Sequence, residues 1–170
     1  MLTAWARRRA RPSTGATMKR ALVLACSTVL ATSVGAAGSV APAVGAAVRS
    51  DHPLLGLWRL PYPGSACWEI YRIEPDGTTL VTSAEEQAES VFTVTDRPSA
   101  RGFYKWVDRI VRDNGGKDCG GNVTTPGAEL TRFVLMLPSG KVFVLCEDED
   151  EELETCIGPF LRIEVSDGDV

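Results

Sequence analysis

The sequence predicts an all-β domain, a single antiparallel up-and-down β-barrel of about eight strands, preceded by an export signal. Three observations carry that expectation. After residue 47, short apolar or alternating runs are separated by Gly-, Pro-, Asn- and Asp-rich breaks roughly every ten to fifteen residues, the signature of a sandwich or barrel. Four cysteines, Cys67, Cys119, Cys146 and Cys156, fall in that part of the chain, an even number suited to an oxidising compartment. All 22 Asp and Glu residues lie there too. Barrel closure removes the edge strands that an open sheet would expose, and about 120 residues suffice for one core and not for two.

Residues 1–47 read as a signal peptide. Arg7, Arg8, Arg9, Arg11, Lys19 and Arg20 precede an Ala-, Val- and Leu-rich run from Ala21 that meets Gly45-Ala46-Ala47. Basic, then apolar, then small residues is the layout of a secretory leader. Cleavage after Ala46 or Ala47 fits it best, and Met18 offers a second start. Two readings compete: an uncleaved anchor, disfavoured by the Ala, Gly, Ser and Thr content of the run, and lipidation at Cys26, which few apolar residues precede. After cleavage no membrane span remains, and the product is an exported protein, periplasmic or secreted.

The strands follow in order from residue 54. Residues 54–60 (LLGLWRL) are apolar but for Arg59, and Tyr62-Pro63-Gly64-Ser65 turns them into 66–74, rich in aromatic and β-branched residues. Pro75-Asp76-Gly77 is a tight-turn signal, returning the chain as 78–83 (TTLVTS). The polar stretch 84–89 (AEEQAE) reads as a loop or one helical turn, with Glu85, Glu86 and Glu89 solvated. Residues 90–96 (SVFTVTD) alternate as a fourth strand, broken by Arg97-Pro98-Ser99. Residues 102–112 (GFYKWVDRIVR) carry both a helical spacing and a strand composition; the aromatic and β-branched content favours strand. Residues 113–128 form a long Gly-rich loop, a place to look for ligand or partner contact. Residues 130–137 and 141–146 make an apolar hairpin about Pro138-Ser139-Gly140. Residues 147–154 (EDEDEELE) read as a solvated acidic tip, 155–165 as the last strand with Pro159 at an edge or bulge, and 166–170 as a tail.

Gly56-Leu57-Trp58 near the mature N-terminus resembles the lipocalin-like (calycin) barrels, and the resemblance implies that Trp58 closes one end of a barrel spanning residues 48–170. It also implies that a late arginine stacks on this Trp, a part open to Arg162. Where lipocalins carry a T-D-Y motif, Thr95-Asp96 is followed by Arg97. The run Gly56-Leu57-Trp58-Arg59-Leu60, with Cys67 shortly after, is also similar to the small secreted inhibitors of bacterial metalloproteases, which are eight-stranded barrels.

Cys146 and Cys156 bracket the acidic tip at facing ends of two apolar strands, which pairs them and leaves Cys67 with Cys119; the other connectivities stay open. No C-x-x-C spacing exists and the one histidine, His52, is remote, so no metal or cofactor is expected. G-x-S-x-G, H-E-x-x-H and G-x-G-x-x-G are absent, and with oxidised cysteines and no base beside a nucleophile the chain reads as a non-enzyme. Glu69 with Asp108 could do acid–base work only inside a cavity. From residue 48 onward 12 Lys and Arg stand against 22 Asp and Glu, a net charge of −10 that disfavours nucleic acid. The expected function is a monomeric, exported binding module holding a small hydrophobic molecule among Trp58, Trp68, Tyr71, Trp106 and the further aromatics Phe92, Phe133 and Phe143. The alternative is a protein-binding module, such as a protease inhibitor, using residues 51–54 or the Cys119 loop. In either case the same aromatics could simply fill the core.

Overall fold

A computed structural model describes residues 45–127 and 129–164. Residues 1–44 of the expected signal peptide, with Met18 and Cys26, and the tail 166–170 lie outside the described residues. Eight strands follow in order: β1 (Gly56–Pro61), β2 (Trp68–Ile73), β3 (Thr78–Ser83), β4 (Glu86–Val94), β5 (Phe103–Asp113), β6 (Glu129–Met136), β7 (Val142–Cys146) and β8 (Cys156–Arg162). Each pairs antiparallel with the next, and β8 returns to β1 through Trp58 opposite Arg162 and Arg59 opposite Leu161, closing an up-and-down barrel.

Local chemistry sets the tight turns. At the β2–β3 turn the Asp76 carboxylate accepts from the Thr78 N–H at 3.0 Å and its hydroxyl at 2.6 Å, while Gly77 takes φ +77°. The β3–β4 turn departs from the sequence reading. Residues 84–89 are neither loop nor helical turn: Ala84 and Glu85 alone make a two-residue hairpin, and β4 begins at Glu86 opposite Ser83. Ala84 sits at φ 53°, a conformation ordinarily signalled by Gly, so the hairpin carries no glycine mark. Residues 103–113 are strand, which decides the helix–strand ambiguity: neighbours on both sides supply ladder partners along the segment.

Two bulges shape the wall. In β5, Glu89 faces Arg112 and Ser90 faces Ile110, so Val111 is extra and every residue after it changes face. In β8 the pairing jumps from Phe143–Phe160 to Leu145–Ile157, which puts Pro159 in a bulge where its missing N–H breaks no ladder bond.

The apolar core occupies the inward positions of Trp58, Ile73, Phe92, Trp106, Val134, Phe143 and Phe160, joined by Leu54 from the arm before β1. The rings pack on one another: Phe143 stacks on Phe160 at 4.4 Å and Phe92 on Trp106 at 4.5 Å, while Trp58 meets Phe143 edge-on at 4.7 Å. Disulfides join Cys67 to Cys119 and Cys146 to Cys156.

Candidate functional site

Alternation of the chain sends the connections β1–β2, β3–β4 and β5–β6 out at one end of the barrel, and the N-terminal arm to the other. The arm end is sealed. Trp58 is fully buried and donates its indole N–H to the Leu54 carbonyl at 2.8 Å. The Arg162 guanidinium lies 4.1 Å over the Trp58 ring and donates to the carbonyls of Gly140 (3.2 Å), Leu55 (2.9 Å) and Pro53. Gly56 is required here twice over, by its φ of +118° and because a Cβ would stand 3.0 Å from the Arg162 Nη1.

His52 fastens the arm. Its Nε2–H donates to the Thr95 carbonyl at 3.1 Å, its Nδ1 accepts from the Leu54 N–H at 3.3 Å, and its ring meets Tyr104 edge-on at 4.9 Å. Donor on one nitrogen and acceptor on the other fix the neutral tautomer, and burial pushes the imidazole below its ordinary pKa. Within residues 51–54, His52 and Leu54 are thus turned into the barrel end, while Asp51 stays exposed beside Arg49. His52 and Leu54 are both buried, because the arm's apolar and hydrogen-bonding groups are spent in plugging the barrel.

The opposite end is polar inside. Glu69 and Tyr71 of β2, Ser83 of β3, Glu86 and Ser90 of β4, and Asp108 of β5 share the inward face with the core, by the registers Tyr71–Trp58, Ser83–Glu69, Ser83–Glu86 and Phe92–Asp108. Tyr71 donates to Glu69 at 2.7 Å, and Ser83 donates to the other Glu69 oxygen at 3.0 Å. Burial, followed by the Glu69 charge, holds the Tyr71 hydroxyl well above its ordinary pKa. Asp108 takes hydrogen bonds from Ser90 and Trp106 and faces Arg132, yet burial outweighs these and raises its pKa. The Val111 bulge adds one more carboxylate: it turns Arg112 outward, where it pairs with Glu89 at 2.7 Å, and brings Asp113 to the face of Ala88 and Glu86.

The long loop after Asp113 folds across this end. Lys117 O accepts from Glu85 N–H at 3.0 Å, Asn114 bridges Glu85 O and Gln87 N–H, and Cys119 N–H donates to Ser83 Oγ at 2.9 Å beside its disulfide to Cys67. On the outside of the stapled rim stand Tyr62, Trp68 and Val123, 37%, 44% and 53% exposed.

The five aromatic and arginine residues singled out in the sequence thus divide. Trp58 and Arg162 meet at the sealed end; Tyr71 packs edge-on against Phe160 at 5.2 Å and Trp106 stacks on Phe92, both inside. Trp68 is on the outer face under the Arg59 guanidinium, 4.6 Å from its ring, and lines no interior; Phe133, opposite Lys105, is on the outer face as well. Two open grooves of about 420 and 450 Å3 lie on the exterior, one along Leu55–Leu57 and Arg72–Pro75, the other between Arg101 and the acidic 147–155 loop. Among the described residues, no three His, Cys, Asp or Glu side chains are arranged to hold a metal ion. The sequence reading missed the inward Glu86 and Asp113 and the buried His52; no local signal marked any of the three. Compared with models of protein families, with curated proteins and with solved structures, the chain matches none.

Proposed function

We propose that this chain is an exported, non-catalytic, lipocalin-like barrel that binds a protein partner through the rim around the Cys67–Cys119 disulfide, using Tyr62, Trp68 and Val123. One contrast carries the reading: the inward aromatics are engaged with one another, while two large aromatics and a valine stand in solvent on a disulfide-held edge. Exposed Trp and Tyr are the side chains that dominate protein interfaces. A rim already fixed by a disulfide and by the loop's hydrogen bonds loses little freedom on binding. The net charge of −10 from residue 48 onward selects a partner whose contact is bordered by Lys and Arg. Two disulfides support an oxidising, extracytoplasmic setting. A small hydrophobic ligand inside the barrel would have to displace the Phe143–Phe160 and Phe92–Trp106 stacks.

The test has two arms. A photo-crosslinking residue at position 66, exposed beside Cys67 on the same rim, identifies the partner of the exported protein in the native host, and purified partner is then titrated with variants. Trp68→Ala should weaken binding by tenfold or more, whereas Leu80→Ala, equally exposed on β3, should leave it unchanged. Native mass spectrometry of the exported protein supplies the opposing outcome: a co-purified small molecule, lost on denaturation, would replace this reading with ligand carriage.

A further inference from the structure

We propose that Glu86 and Asp113 hold one proton between their carboxyl groups, and that this proton latches the 114–127 loop across the polar end of the barrel. The inference stands whether or not the rim binds a protein.

Glu86 is 94% buried by its 6% exposure, in the hairpin that the loop crosses. Its Oε1 and the Asp113 Oδ2 are both buried, and neither accepts a hydrogen bond. Two orphaned acceptors side by side are expensive. The strand register brings them together: Asp113 pairs with Ala88, the next inward position of β4 after Glu86, so the two carboxyl groups are neighbours on the inner face. A single proton resolves both vacancies at once, because a carboxylic acid donates where a carboxylate accepts. Burial raises the Glu86 pKa as its largest cause, and the negative charges of Asp113 and Asp118 push the same way against the Thr124 hydroxyl.

The charged surroundings favour retention of the proton. From β2 come Glu69 and Tyr71, the latter's hydroxyl held well above its ordinary pKa; from β5 come Asp108 and Asp113; from the loop comes Asp118; Arg132 of β6 faces Asp108. The pair sits at the loop's root. Asp113 precedes the loop and its other oxygen, Oδ1, accepts from Gly115 N–H at 2.7 Å. Glu86 is flanked by Glu85 and Gln87, which receive the loop through Lys117 and Asn114. Gly116 lies so close that a Cβ there would stand 2.2 Å from Glu85 O. Losing the proton sets two buried negative charges against each other at the point where loop and hairpin are joined, and the Cys67–Cys119 bond limits how far the loop can then travel.

The sign follows from linkage. A carboxyl whose folded pKa is raised binds its proton more tightly when folded, so its stabilisation is complete below the unfolded value of 4.5 and is lost as pH rises through the raised one. Side-chain carboxyl carbons of the wild-type exported protein, followed by NMR from pH 3 to 9, should show the Glu86 carboxyl losing its proton above the usual carboxylate range, with the chemical shift of the Asp113 carboxyl carbon responding to that same step. Amide exchange at residues 114–118 and 122–124, corrected for intrinsic rates, should accelerate at least tenfold across that step. Glu86→Gln, whose amide donates to Asp113 permanently, should hold the loop's protection constant over the same range; Glu85→Gln should behave as wild type. A Glu86 carboxyl that titrates in the ordinary range, or an Asp113 carbon blind to the Glu86 step, would overturn the proposal, as would loop exchange insensitive to that step. The wild-type titration decides the matter even if the Gln variant does not fold, and Asp113→Asn provides the complementary substitution.

Discussion

Trp58 is gripped from three sides, by the Leu54 carbonyl on its indole nitrogen, by Phe143 against its ring edge and by the Arg162 guanidinium over its face. Removing the ring leaves a cavity and uncovers a partly buried cation, so Trp58→Ala should cost about 3–5 kcal/mol in urea denaturation; a change under about 1 kcal/mol would mean that the ring is not the plug. His52 gives the same end a pH dependence. Its folded pKa is depressed, so the folded state binds the imidazole proton less tightly than the unfolded chain does. That contribution is present above the ordinary value of 6.5 and is lost as pH falls from 6.5 through the lowered one. Protonated Nδ1 would also confront the Leu54 N–H with a second donor. His52→Gln should flatten the decline in melting temperature between pH 7 and 5, measured as the difference from wild type.

At the scale of elements, the two disulfides close loops of different length, 52 and 10 residues apart in sequence. Chain entropy alone then assigns about 4 kcal/mol to Cys67–Cys119 and about 3 kcal/mol to Cys146–Cys156. Paired Cys→Ser variants compared in guanidinium melts should rank in that order; the reverse order would show that the acidic tip needs its clasp more than the long loop does. The β6–β7 hairpin was legible in the sequence because two apolar runs bracket the turn residues Pro138-Ser139-Gly140, and the later part of β4 because residues 90–96 alternate. Legibility failed where the interior turns polar. Glu86 and Ala88 face inward but read as a solvated connection, since a buried carboxylate looks the same in sequence as an exposed one, and Ala84 hides the turn that introduces them. Asp113 was out of reach for a different reason: its face depends on the Val111 bulge, and nothing in the order of residues 109–113 announces an extra residue. Trp68 was grouped with the inner aromatics because aromatic content reports a strand and not the side of it.

For the molecule as a whole, the excess of ten negative charges beyond residue 47 is gathered most densely in 147–154, seven carboxylates in eight residues. Among the described residues Arg101 engages this loop, donating to Glu149 O at 2.9 Å and pairing with Glu151 at 3.3 Å. Screening that repulsion should raise the melting temperature by a few degrees between about 0.01 and 0.5 M NaCl at neutral pH, read by differential scanning calorimetry; a flat or falling curve would mean that local ion pairs outweigh the general repulsion. The circular topology bears on a different matter, the order in which the chain is delivered. Arg162 and the Leu55 carbonyl it grips are 107 residues apart, so any machinery that releases the polypeptide N-terminus first sets one edge of β1 and the face of Trp58 free long before β8 exists. During that interval the seam is two open edges, and the nascent chain can be threaded, held or degraded but not finished. Completion is a single late event: the arrival of β8 covers the tryptophan, pins the arm and joins the edges together, and a product truncated before that strand is an open sheet for proteolysis to find.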